Sequence, residues 1–252
     1  MAAAAGRARR RLAPEPLQAW LAAVVGCAVA AAASPGPPAD AAAAASVAFT
    51  QELAELTRSH GVYRVPRRGA ARRGTLAARR PITGAPTVVP VVGRAAAGGS
   101  KWLRVRLPGR PNGATGWIKQ RGTRKTSTVW HIVVRTSARH VRVYRRGRLA
   151  RSFAVVVGKP ATPTPHGRFF VEESVRLLPT GIGGPYALAT SARSNVLQEF
   201  MGGPGQIALH GVDNLGGTPG TAVSHGCVRL SGTDNRWMAA RIGPGVPVTI
   251  TR

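Results

Sequence analysis

Short runs in which apolar and polar residues alternate, separated by Gly/Pro-rich turns, dominate the chain beyond residue 86. This period of two predicts strands over residues 88–92 (bordered by Pro90), 102–107 and 115–118, the last two joined by a turn containing Asn112-Gly113. A strand series follows at 129–135, 141–145, 149–157, 168–173, 187–190, 207–210 and 246–251. One helix is predicted over 234–242, with Trp237, Met238 and Ile242 on one face, Asp234 as its cap and Gly243-Pro244 as its stop. A second, shorter helical pattern (Phe49, Leu53, Leu56) occupies 49–57. Residues 67–84 carry no apolar period and read as a loop, and 122–127 as a polar linker. The expectation is a mainly β protein. A mixed, β-sandwich or barrel-like domain with one short helix spans 127–252, preceded by a small basic β-barrel-like domain at 46–121.

Residues 1–45 have a different texture. Arg7, Arg9, Arg10 and Arg11 precede an apolar run at 19–33, which ends in Ser34-Pro35-Gly36-Pro37-Pro38. A basic head, an apolar middle and small residues at the end make an export signal or membrane anchor followed by a linker. The run is shorter than the ~20 residues of a comfortable span. Cys27, after Val24-Val25-Gly26, resembles a bacterial lipoprotein cleavage site. Cleaved signal, lipoprotein and retained anchor all place the body of the protein outside the cytoplasmic membrane.

Charge narrows the partners. The net charge is +27, and no Asp or Glu occurs from Thr57 to Phe170. So one-sided a stretch favours an anionic setting, such as a cell-wall or membrane surface. Arginines set singly between apolar residues, as at Arg104, Arg106, Arg142 and Arg145, describe solvated strand faces and argue against nucleic acid, which calls for aromatic stacking platforms. Two cysteines exclude a disulfide scaffold and a four-cysteine zinc module. Nothing implies a metal or an organic cofactor.

With the leader set aside, Cys227 is the one thiol, in the run Ser224-His225-Gly226-Cys227-Val228-Arg229-Leu230. His210-Gly211 lies upstream, with thirteen residues, Gly211 to Val223, between His210 and Ser224. A spacer rich in Gly and Pro can bring His210 beside Cys227, where an imidazole activates a thiol as nucleophile. Gly226 permits a tight turn, and the Gly226 and Cys227 amides are candidate oxyanion donors. Arg229 adds positive charge for a carboxylate or a thiolate. A buried core thiol, a zinc site formed with His210 and His225, and a redox thiol remain alternatives. His60, His131, His140 and His166 read as surface or core histidines.

His210-Gly211, the spacer and Ser224-His225-Gly226-Cys227-Val228-Arg229-Leu230 closely resemble the signature of bacterial L,D-transpeptidases with a YkuD-type catalytic domain. Thr162-Pro163-Thr164-Pro165-His166-Gly167-Arg168-Phe169 resembles a loop of that family. More weakly, the 102–118 hairpin resembles the Src-homology-type modules that accompany wall enzymes.

The resemblance implies an acyltransferase acting on peptidoglycan stem peptides. Cys227 would form a thioester with loss of D-alanine, and an amine would take the acyl group to give a 3→3 cross-link. His210 would be the base, oriented by the Gly211 carbonyl. His225, Gly226 and Cys227 would stabilise the oxyanion, and Ser224, Arg229 and Tyr186 would contact substrate. An exported cysteine peptidase or amidase, and a basic wall-adhesion module with an idle thiol, are the competing readings. Papain-like wall peptidases carry Cys before His, the reverse of the order here.

Overall fold

The computed structural model describes residues 47–178 and 180–252; the expected export segment, Cys27 included, lies outside them. The first seven strands, β1 (Gln51–Leu56), β2 (His60–Tyr63), β3 (Arg72–Leu76), β4 (Val88–Ala97), β5 (Ser100–Arg106), β6 (Thr115–Lys119) and β7 (Thr123–Thr128), form one antiparallel sheet in the order β3-β2-β6-β5-β4-β1-β7. The next seven are β8 (Trp130–Arg135), β9 (His140–Arg145), β10 (Arg148–Ala154), β11 (Val157–Gly158), β12 (Gly167–Arg176), β13 (Tyr186–Arg193) and β14 (Gln206–Gly211). They are followed by β15 (Ala222–Ser224), β16 (Val228–Leu230), helix α1 (Gly232–Ala239) and β17 (Pro247–Thr251). Eight of these strands form a second, mixed sheet in the order β10-β9-β8-β17-β12-β13-β14-β16, and β11 pairs with β15 apart from it. Val156, just past β10, exchanges backbone hydrogen bonds with Arg229 of β16, so the second sheet nearly closes into a barrel.

Three local expectations fail for one reason. Residues 51–56 are strand rather than helix, because β4 and β7 flank β1 on both sides and complete its ladders. Leu53, Ala54 and Leu56 are buried while Phe49 is exposed, so the apparent helical spacing had no common face. β3 lies within the presumed loop, and β7 replaces the presumed linker. Both are edge strands made largely of polar and charged residues, which suits an edge but hides the strand signal. The first sheet therefore runs to Thr128, past the expected boundary at 121.

The expected helix exists as α1, but its cap is Ser231. The Ser231 side chain accepts the Asp234 N–H at 3.2 Å, and its hydroxyl donates to the Asp234 carboxylate at 2.6 Å, a reciprocal arrangement that belongs to helix N-termini.

β12 joins the two sheets. Neighbouring residues on a strand point to opposite faces, and Phe169 enters the core of the second sheet while Phe170 enters that of the first. A register shift between Val171 and Glu173 marks a bulge, and both Glu172 and Glu173 meet the β3–β4 connection. Glu172 pairs with Arg80 and, at 3.0 Å, with Arg193. Glu173 accepts from Thr83 N and Oγ1 at 3.1 and 2.8 Å. Both carboxylates are fully buried, so removing one leaves uncompensated guanidinium charge. Glu172→Gln should cost about 3–5 kcal/mol of folding stability, read as a lower urea midpoint, whereas neutralising the exposed Arg146 should change little.

Candidate active site

A parallel strand pair builds the site. β14 and β16 run parallel with His210 opposite Arg229. Parallel neighbours require a connection of a dozen or more residues, and the Gly/Pro-rich spacer after His210 is part of that connection. Cys227 immediately precedes β16, and its thiol points at the Gln206 carbonyl of β14, 3.9 Å away. Gln206, Ala208 and His210 alternate along one face of β14, so the chain brings Cys227 and His210 to the same stretch of one strand.

The Ser224–Cys227 turn is held from inside. Ser224 Oγ donates to the Cys227 carbonyl at 2.6 Å and accepts the Gly226 N–H at 3.1 Å. Thr162 and Thr164 donate to the carbonyls of Ser224 and Gly226 at 3.2 and 2.8 Å, and Lys159 N reaches Ser224 O at 3.0 Å. The Thr-Pro-Thr-Pro loop is thus a brace for the turn. Gly226 has φ of +121°, a backbone region that side-chain-bearing residues rarely adopt.

His210 is half-buried, and its Nδ1 lies 2.8 Å from the Gly211 carbonyl. A carbonyl can only accept, so Nδ1 carries the hydrogen and the neutral ring leaves its Nε2 lone pair free. Asp213 does not serve as a third member: it is exposed, and its backbone carbonyl accepts from Gly183 N. Burial pushes the His210 pKa below its ordinary value, the Gly211 hydrogen bond opposes this, and Arg229 adds to the lowering. Burial pushes the Cys227 thiol up, against a backbone hydrogen bond at Ala208 and the Arg229 charge. Both shifts favour the neutral forms, thiol and imidazole, over thiolate and imidazolium.

The other expected site residues take distinct places. His225 is exposed, with its ring stacked on Phe200 at 5.3 Å between centroids. Ser224 is fully buried, and its hydroxyl is engaged within the turn. Gly226 is buried, with its N–H on Ser224, so that amide is not free for an oxyanion. Arg229 is buried and donates to the Gly216 carbonyl, and its charge acts on both His210 and Cys227. Tyr186 begins β13, one residue before the Ala187–His210 pair, and its backbone N–H and carbonyl are both held by the Asn235 side chain at 3.0 and 2.9 Å. No cluster of three metal-ligating side chains occurs among the described residues, and the three-ligand arrangement of His210, His225 and Cys227 is not formed.

The sequence reading missed Phe200 and its supports. Arg110 donates to the carbonyls of Ser194, Leu197 and Pro204 at 2.8, 3.0 and 3.0 Å, and Asn112 brackets Arg193 with hydrogen bonds of 2.7 and 2.8 Å. The turn read only as a hairpin of the first sheet thus grips the segment that carries Phe200. Asn112-Gly113 was a visible turn signal, but its partner lay more than eighty residues away, as the separation between Asn112 and Arg193 shows.

Comparison with known proteins bears on residues 130–250, which match the YkuD L,D-transpeptidase catalytic domain. The chain is 31% identical over 131 residues to a putative L,D-transpeptidase YkuD of Bacillus licheniformis, covering 52% of this chain and 71% of that one. It is 30% identical over 123 residues to the Bacillus subtilis counterpart, covering 49% of this chain and 66% of that one. Among solved structures, an L,D-transpeptidase from Mycobacterium smegmatis aligns over 65% of this chain and 99% of its own at 20% identity, with a TM-score of 0.38. L,D-transpeptidase 3 from Mycobacterium tuberculosis aligns over 66% and 92% at 16% identity, with a TM-score of 0.42. The family match begins after the first sheet and lends no support to the Src-homology resemblance. On the relationship across residues 130–250, the chain belongs to the YkuD family of L,D-transpeptidases, which are acyltransferases.

Proposed function

We propose that this chain is an exported, cysteine-dependent L,D-transpeptidase that forms 3→3 cross-links between peptidoglycan stem peptides. The observation that carries the reading is the His210 Nδ1 contact to the Gly211 carbonyl at 2.8 Å, which leaves Nε2 as the base, with Cys227 set against the same strand, β14. Cys227 Sγ attacks the carbonyl of the third residue of a stem tetrapeptide while His210 Nε2 takes the thiol proton. The tetrahedral intermediate collapses, the peptide C–N bond breaks, and the proton leaves with the D-alanine amine. The side-chain amine of a second stem then attacks the thioester, restores the thiol and forms the new amide.

The N–H groups of His225 and Cys227 are the oxyanion donors in this reading, because the Gly226 N–H is engaged by Ser224. Ser224 shapes the nucleophile turn, Arg229 supplies buried charge, and Tyr186 stays at the start of β13, next to the Ala187–His210 pair. In this reading the body of the protein acts at the cell wall, and the leader of 1–45 is its route of export.

Incubating the chain with a stem tetrapeptide and recording intact mass tests the proposal. A Cys227-borne acyl adduct, with a cross-linked product once an amine is added, supports it. Free acid alone would mark a hydrolase, and no adduct a binding module. The neutral resting pair makes a separate pH prediction. Alkylation of Cys227 by iodoacetamide should still be climbing above the ordinary thiol midpoint of ~8.5, because burial raises the thiol rather than lowering it. A plateau already reached at mildly acidic pH would show a stable thiolate–imidazolium pair instead.

A further inference from the structure

We infer that the seam between the two sheets is a binding site for a divalent oxyanion of phosphate chemistry, held by Arg106 and Arg168 beside His131. A cavity of about 180 Å³ opens there, lined by Gln51 and Pro90 of the first sheet together with Arg106, and by His131, Arg168 and Thr249 of the second. A water occupies roughly 30 Å³ in the liquid, so the space admits a tetrahedral oxyanion and a few waters. Arg106 Nη1 donates to the Arg168 backbone carbonyl at 3.2 Å. Among the described residues neither guanidinium pairs with a carboxylate. The chain carries no acid from Thr57 to Phe170, and Glu172 and Glu173, the next two, are engaged by Arg80, Arg193 and Thr83.

The two guanidiniums at this cavity, Arg106 half-buried and Arg168 exposed, repel each other, and burial with Arg168 nearby pushes Arg106 below its ordinary basicity. An anion of charge near −2 balances the pair, and arginine forks match its oxygens in a way a point charge does not. His131 adds a proton-linked element. Its Nε2 meets Thr249 Oγ1 at 2.8 Å, and burial, with Arg168 and Arg106 beside it, lowers it to about 4. Between pH ~6.5 and about 4 the unfolded chain binds a proton that the folded His131 does not. Stability contributed there is full above ~6.5 and is lost as pH falls through that window. A bound dianion offsets the two arginine charges and lets His131 protonate, so anion affinity should rise as pH falls. The rest of the cavity lining is not ionisable. A bound phosphate would also fasten the first sheet to the second.

Sulfate, which keeps its charge across this range, is the first probe, titrated into the full chain at constant ionic strength while the thermal midpoint and the His131 ring resonances are followed. The expected result is a saturable rise in midpoint, stronger at low pH, with a His131 shift. Arg106→Gln and Arg168→Gln should each weaken the apparent affinity about ten-fold or more, and Arg146→Gln, in a remote turn, should not. His131→Gln should remove the pH dependence but keep the sulfate response. Arg168 is exposed, so its variant carries the test should Arg106→Gln not fold. Inorganic phosphate and glycerol phosphate then separate a free ion from an esterified group. Unchanged affinity in both arginine variants, equal loss in Arg146→Gln, or an equal response to acetate overturns the proposal. Cys227→Ala should bind sulfate normally, so failure here is distinct from failure of the transpeptidase reading.

Discussion

Replacing Cys227 with alanine should abolish the acyl adduct altogether, and replacing His210 with glutamine should slow acylation by roughly 10²–10⁴-fold at neutral pH, the usual contribution of a positioned general base. The first loss is absolute because alanine offers no nucleophile. The second is graded, and its pH profile identifies the role. With the thiol raised by burial, few molecules hold a thiolate at neutral pH, and most acylation requires a base that removes the proton during attack. Raising the pH forms the thiolate directly, so the gap between His210→Gln and wild type should narrow toward alkaline pH. A purely structural defect would instead give a gap that does not change with pH. Acylation by mass spectrometry at several pH values distinguishes the two, and near-wild-type acylation by His210→Gln at neutral pH would remove the assigned role.

Much of this site was legible in the sequence because its parts are local. Ser224 to Leu230 is one continuous run, and the turn it encodes depends on its own hydroxyl and on a glycine of unusual φ. The strands of the second sheet announced themselves where apolar residues alternate cleanly, as in Val141 and Val143 of β9. What failed was of a different kind. β3 and β7 are edge strands specified by pairing rather than by side-chain pattern, so their arginines, lysine and threonines looked like loop. The roles of Glu172 and Arg110 were invisible for the same reason, since each depends on a partner contributed by the other sheet. The Gly226 amide was misread because the sequence shows that a turn is tight without showing which acceptor its N–H meets. Motifs disclose chemistry, and the hydrogen-bond partners that decide which donor stays free come from the fold.

Gly211→Ala should be the change outside the reacting pair that costs the most activity. A β-carbon built at Gly211 would overlap the Gly184 carbonyl oxygen and lie 2.8 Å from its carbon. Both are backbone atoms, so no side-chain rotation relieves the overlap. The Gly183–Gly184 segment cannot simply retreat, because Gly183 O accepts Gly211 N at 2.8 Å and Gly183 N donates to Asp213 O at 2.8 Å. The strain falls on the residue whose carbonyl fixes the His210 ring. Overpacking of this kind costs about 1–3 kcal/mol of stability. A displacement near 1 Å in a catalytic group costs about 10²-fold in rate. The expected variant is folded, with a lower thermal midpoint and acylation reduced by about two orders of magnitude, while alkylation of Cys227 by iodoacetamide at alkaline pH stays close to wild type. That split isolates ring orientation from access to the thiol. If alkaline alkylation fell in parallel with acylation, the damage would lie in the nucleophile turn, and the Gly211 carbonyl would no longer account for how His210 is held.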